Sequence, residues 1–131
     1  MDYQGTIIEE SLEDASVLSG LRIIKTDVKP ATEKERTPWV KQWTLHTINI
    51  PQQRAEVIAR KIMMALDRQH PWYADFKNAR THYIIFRDKM FRVDRTKRDS
   101  YQPATDHGLS LGIPYYQLDF SAHILVAATK A

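Results

Sequence analysis

The apolar and polar residues of the chain alternate most regularly in the central stretch, residues 70–96. Period-two alternation places successive side chains on opposite faces of a strand, so this stretch predicts a β-meander of three antiparallel strands. A two-residue turn at Asp88-Lys89 would join the second and third strands, because Asp tolerates the backbone that tight turns require. This turn would pair Phe86 with Phe91 across the hairpin.

The register of the first two strands depends on the turn between them. A turn over residues 79–81 would bring Phe76 beside Ile84 and would sort the side chains onto two faces. The predicted core face holds Trp72, Ala74, Phe76, Ile84, Phe86, Phe91 and Val93. The predicted polar face holds Tyr73, Asp75, Lys77, Tyr83, Arg92 and Asp94. A turn one residue longer would move Asp75 to the core face.

Helical periodicity follows Pro51. In residues 52–69 the apolar side chains recur three and four positions apart, which predicts an amphipathic helix. Its apolar stripe is Ala55, Ile58, Ala59, Ile62, Ala65 and Leu66. A second helix is predicted from Asp99 or Ser100, as its cap, to about residue 107, with Gly108 as its natural end.

The remaining pattern predicts strands at residues 5–10, 21–29 and 43–50, with a short helix or turn after the first. The order strand, short helix, strand, strand, helix matches most of a ferredoxin-like split βαβ unit. We therefore predict one α+β domain over residues 1–131, with a mostly antiparallel sheet, a C-terminal β-meander and the two main helices on one face. Residues 121–131 are predicted to form a loose helix or a tail.

Composition narrows the classes of function. The 131-residue chain is 43% hydrophobic and 27% charged, as soluble globular proteins are, and it has no cysteine. Disulfides, thiol catalysis and cysteine-ligated metals are thereby excluded, and a cytoplasmic location is expected. The chain begins without a secretory pattern, and its late apolar run, residues 124–128, is too short to span a membrane.

Charge is concentrated in the middle of the chain. Residues 54–98 carry 12 Lys or Arg against 5 Asp or Glu, whereas the whole chain has a net charge of +3. Such a basic region favours an anionic partner, and a solvated surface is the alternative. Interleaved basic and aromatic residues also leave a nucleic-acid or other polyanion binder open, although the glycine–aromatic signature of common RNA-binding sheets is absent.

No known catalytic motif is present. The five histidines are widely spaced, and neither a phosphate loop nor a nucleophile elbow occurs, so no metal and no cofactor is expected. We predict a small binding or interaction protein for an anionic ligand or a protein chain. Its candidate binding residues are the polar sheet face and a tryptophan-containing loop: Trp39, Trp43, Tyr73, Asp75, Lys77, Tyr83, Arg92 and Asp94.

Two alternatives to this prediction stay open. Asp75, Asp94 and Tyr83 on one sheet face would suit acid–base catalysis by a small enzyme. The same face would also suit the interface of a homodimer.

Several segments carry a family resemblance. They are YADFKN at residues 73–78, HYIIF at 82–86, FRVDR at 91–95, LGIP at 111–114 and QLDF at 117–120. Together they resemble a family of small uncharacterised bacterial proteins, over about residues 5–120. The resemblance implies a single compact domain and implies no activity, ligand or catalytic residue.

Overall fold

A computed structural model of the chain describes residues 1–30 and 42–124, so Trp39 lies outside the described residues. The described strands are β1 (Tyr3–Ile8), β2 (Arg22–Pro30), β3 (Gln42–Ile50), β4 (Tyr73–Lys77), β5 (Thr81–Phe86) and β6 (Met90–Asp94). They form one sheet with the neighbour order β2-β3-β1-β4-β5-β6, and every neighbouring pair is antiparallel. The predicted α+β class with an antiparallel sheet is confirmed.

The first helix, α1 (Ala55–Ala65), follows a 3-10 turn over Gln52–Arg54. All six residues of the predicted apolar stripe are buried. The helix ends four residues earlier than predicted because Leu66 adopts an extended backbone and forms a β-bridge with Leu12. Tertiary pairing thus ends this helix before its helical pattern ends.

The second helix, α2 (Gln102–Ser110), follows a 3-10 turn over Arg98–Tyr101. Gly108 does not end it, contrary to the prediction, but lies inside it against Leu118. A Cβ atom at Gly108 would come within 2.5 Å of the Leu118 side chain, so the glycine is needed for close packing. The residue with the left-handed backbone is Gly112, whose φ is 89°.

The two helices lie on opposite faces of the sheet, and the prediction that they share one face is wrong. Helix α1 packs in a cluster with Phe76, Tyr83 and Ile85, whereas α2 packs in a second cluster with Ile84 and Phe86. Strand β5 accounts for this arrangement. Its consecutive side chains point to opposite faces of the sheet, and the apolar side chains on both faces require burial. Its burial is continuous rather than alternating, as in strands covered on both sides.

The hairpin between β5 and β6 differs from its predicted register by two positions. Phe86 donates its backbone N–H to the carbonyl of Lys89, so the turn residues are Arg87-Asp88 and Phe91 lies opposite Ile84. A two-residue shift keeps every side chain on its predicted face. The rings of Phe86 and Phe91 are still in edge contact, with centroids 5.9 Å apart.

The turn between β4 and β5 has a larger consequence. The carbonyl oxygen of the Asn78 side chain accepts hydrogen bonds from the amides of Arg80 and Thr81, which stabilises a turn one residue shorter than predicted. Asp75 therefore lies opposite Ile84, and every side chain of β4 lies on the face of the sheet opposite to the predicted one. A slip of one residue inverts the faces of a strand, and the predicted polar face is wrong for this reason.

Candidate functional site

The predicted binding residues divide between the two faces of the sheet. Tyr73, Asp75 and Lys77 lie on the α2 side, because they share a face with His82 and Ile84. On the α1 side are Tyr83, Arg92 and Asp94, and Tyr83 is buried with its ring stacked on Phe76 at 4.9 Å. Asp75 and Asp94 thus point in opposite directions, and the acid–base group with Tyr83 does not assemble.

On the α2 side, the described residues cover only part of the sheet. Helix α2 and residues 113–124 pack over β4, β5 and β6. Strands β1 and β3 show the same face beside this cover, and their side chains line two depressions there. A face that is half covered leaves polar groups of β4 at the boundary between core and solvent.

The larger depression, which we name the aromatic pocket, lies where β1 and β4 separate. The two strands are paired only from Gln4 to Thr6, opposite Lys77 to Asp75, so the gap opens beyond Thr6. The pocket has a volume of about 570 Å³, within the range of small-molecule sites. Its lining is Thr6, Ile8, Trp43, Leu45, Pro71, Trp72, Tyr73, Asp75, Tyr116 and Gln117.

The walls of the aromatic pocket are held by contacts among themselves. Trp43 and Trp72 meet edge to face with ring centroids 5.6 Å apart. Tyr73 donates its hydroxyl to the backbone carbonyl of Gln117 at 2.5 Å, and burial raises the pKa of this phenol. The pocket thus presents fixed aromatic surfaces, to which one predicted tryptophan and one predicted tyrosine contribute.

Asp75 is the charged group of the aromatic pocket. Its Oδ2 atom lies 2.7 Å from Nε2 of His82, and Nδ1 of His82 lies 2.9 Å from the hydroxyl of Tyr101. In the arrangement that satisfies all three groups, Tyr101 donates to Nδ1 and Nε2–H donates to Asp75. Burial raises the pKa of Tyr101 to about 12, so its phenol keeps the proton that it donates.

The three groups differ in their access to solvent. The His82 side chain is fully buried, whereas the Asp75 side chain keeps 32% of its exposure. Only Asp75 can therefore contact a ligand directly, and His82 and Tyr101 hold its carboxylate in place. The arrangement supplies one oriented hydrogen-bond acceptor with a negative charge at an aromatic surface.

Sequence reasoning found Asp75 but missed both of its partners. A signal for His82 was present, since it alternates with Ile84 and Phe86 and so is a polar residue on a core face, where it requires hydrogen-bond partners. Nothing in the local pattern points to Tyr101, which comes from the turn before α2. Its position depends on packing across the sheet.

The structure also bears on the predictions about nucleic-acid stacking and metal binding. The aromatic rings of the central stretch that would stack bases are largely inside, with Phe76, Tyr83 and Phe86 all buried. The described residues contain no group of three His, Cys, Asp or Glu placed to hold a metal ion. Binding to a polyanion stays a prediction.

Over residues 1–30 and 42–124, no helix combines the length and the apolar character needed to cross a membrane. No family model, curated protein or solved structure matches the chain. The resemblance to small bacterial proteins therefore stays a prediction.

Proposed function

We propose that this chain is a small-molecule binding protein. Its ligand places an apolar, aromatic body in the aromatic pocket and directs a cationic or N–H group to Asp75. The observation that carries the proposal is the carboxylate of Asp75 on the wall of a pocket lined mainly by Trp, Tyr and aliphatic side chains. This combination of an apolar cavity and one oriented polar group is typical of ligand sites.

The carboxylate favours a donor over an acceptor. One oxygen of Asp75 is engaged by His82, and within the described residues the other oxygen has no hydrogen-bond partner. A ligand ammonium would supply that partner and a charge-assisted hydrogen bond. The aromatic lining of the pocket adds to the attraction, because the π-electrons of an aromatic ring favour a cation placed over its face.

A phenyl series tests this proposal by calorimetry or NMR titration. We expect 2-phenylethylamine to bind and the neutral 2-phenylethanol to bind at least about tenfold more weakly, since it lacks the charge that pairs with the carboxylate. The variant Asp75→Asn should remove that difference. Asp94→Asn is the matched control, because it removes a carboxylate from the opposite face, and it should leave the affinity unchanged.

Two results would contradict the proposed function. One is equal binding of the amine and the alcohol by the unmodified chain. The other is an equal loss of affinity in Asp75→Asn and Asp94→Asn, which would mean that the amine responds to overall charge and not to the pocket.

We also infer that β1 to β4 form a ferredoxin-like unit, extended by β5 and β6 as a meander. The neighbour order β4-β1-β3-β2 supports this, since it brings β1 between β3 and β4 in a fully antiparallel arrangement. The 3-10 helix Ala15–Gly20 takes the place of the first helix and packs beside α1. NOEs from β1 to both β3 and β4 are expected in solution, and NOEs joining β1 to β2 would contradict the assignment.

A further inference from the structure

We propose that a second depression, adjoining the aromatic pocket, binds an anionic group such as a carboxylate or a phosphate. We name it the cationic cleft. It lies on the same open face of the sheet, beside the turn between β4 and β5, and has a volume of about 400 Å³. Its lining is Gln4, Gly5, Thr6, Thr47, Lys77, Asn78, Ala79 and Arg95.

The lining has the composition of an anion site. Among the described lining residues, two side-chain amides and two hydroxyls supply hydrogen-bond donors, two cations supply positive charge, and none is a carboxylate. The described lining of the aromatic pocket, by contrast, contains a carboxylate and no cation. The two depressions therefore attract groups of opposite charge.

The two cations of the cleft are held by neutral hydrogen-bond acceptors. Arg95 donates its Nε to the backbone carbonyl of His123 at 2.8 Å and its Nη1 to the carbonyl of Asn78 at 2.5 Å. The ammonium of Lys77 is hydrogen bonded to Nδ1 of His123. Among the described residues, neither Lys77 nor Arg95 forms a salt bridge, so their charges are fixed in direction but not neutralised.

The electrostatics of the cleft favour an incoming negative charge. Burial and the nearby charge of Arg95 lower the pKa of Lys77, and Asp75 opposes this shift. Burial, followed by the charge of Lys77, also lowers the pKa of His123. Cations that repel one another in a partly buried place are stabilised when an anion binds between them.

The position of the cleft indicates the chemical class of the ligand. Thr6 lines both depressions, and Asp75 and Lys77 stand two residues apart on the same face of β4. This spacing along a strand is about 7 Å. The ligand is therefore an aromatic amine that also carries a carboxylate or phosphate. This identification rests on the proposed function, whereas the anion site itself is independent of it.

The phenyl series extends to a test of the cleft. Phenylalanine adds a carboxylate to 2-phenylethylamine, and we expect it to bind about tenfold more tightly because of the added charge-assisted contact. Lys77→Gln should remove this gain, so that phenylalanine binds to the variant no more tightly than 2-phenylethylamine does. Lys61→Gln, which removes an exposed cation on α1, is the matched control and should keep the gain. A carboxylate that brings no gain, or a gain that survives Lys77→Gln, would overturn the ligand class.

Inorganic phosphate and acetate test the anion site by itself. At constant ionic strength, either ion should shift the backbone NMR signals of Thr6, Asn78 and Ala79 in a saturable way, and Lys77→Gln should abolish the effect. The ion that saturates at lower concentration distinguishes a phosphate from a carboxylate. If these shifts occur while 2-phenylethylamine fails to bind, the anion site stands and the proposed function falls. If neither ion gives shifts that differ from those of chloride, the anion site is overturned.

Discussion

The two faces of the sheet use buried side chains in different ways. Around α1 the core is built from aliphatic and aromatic residues, and its buried histidine, His46, lies at the rim beside Glu9 and Thr26. Around α2 a fully buried histidine lies among aromatic rings, bonded to a carboxylate and a phenol. The first face stabilises the fold mainly by apolar burial, whereas the second also holds a hydrogen-bonded network among its buried aromatic rings.

This difference bears on where the proposed site lies. Around α1, the apolar side chains of the sheet are buried beneath the helix. The other face ends its cover at β4, where Asp75 and Lys77 lie between the core and the open part of the sheet. Polar groups at such a boundary are oriented by buried neighbours and still reach a ligand.

The largest effect is expected from breaking the apolar face. Phe76 is 1% exposed in the α1 cluster, and Phe76→Ala should lower the free energy of unfolding by about 3–5 kcal/mol, since it removes a large side chain and leaves a cavity. On the other face, Phe91→Ala should cost only about 1–2 kcal/mol because Phe91 is half-buried. Urea denaturation measures both. Equal losses would show that the two faces contribute alike.

A smaller effect is expected from breaking the hydrogen bonds of the other face. Tyr101→Phe keeps the ring and removes the hydroxyl, which leaves Nδ1 of His82 unsatisfied in the core. The expected loss is about 1–3 kcal/mol, the usual cost of one buried unsatisfied group. Tyr115→Phe is the control, because Tyr115 is exposed, and it should be near neutral. A Tyr101→Phe variant as stable as that control would contradict the role of the network.

The fold of the α2 face could be predicted only in part from the sequence. The apolar stripe of α1 and the three central strands follow from local periodicity, since each is set by the spacing of side chains in one element. The partnership of Asp75, His82 and Tyr101 follows from the register of β4 and the docking of the turn before α2. Neither is a local property, because both depend on which residues lie opposite one another.

The smallest effect on stability is expected from a change in pH, and it concerns the α2 face, where His123 lies beside His82. The pKa of His123 is lowered by burial, then by Lys77 and His82; Arg95 acts in the same direction and Asp75 opposes it. The unfolded chain therefore takes up a proton that the folded chain resists, so stability should fall as pH is lowered through about 6.5.

Urea denaturation from pH 8 to pH 5 measures this slope. Protonation of His123 also removes the lone pair to which Lys77 donates, so His123→Gln, whose amide oxygen accepts the same bond, should flatten the slope. A variant that keeps the full slope would assign it to another group.

The sequence by itself predicted most of the strands and the apolar stripe of α1, and it identified Trp43, Tyr73, Asp75 and Lys77 as candidates. Tertiary structure decided which of them meet. The decisive feature is the turn closed by Asn78, since a single residue in its length inverts β4, so that Asp75 shares its face with His82 and not with Asp94. Because side chains alternate along a strand, the pattern defines two faces, but a shift of one residue in register exchanges them. The pattern alone therefore located β4 but not the residues that its side chains contact.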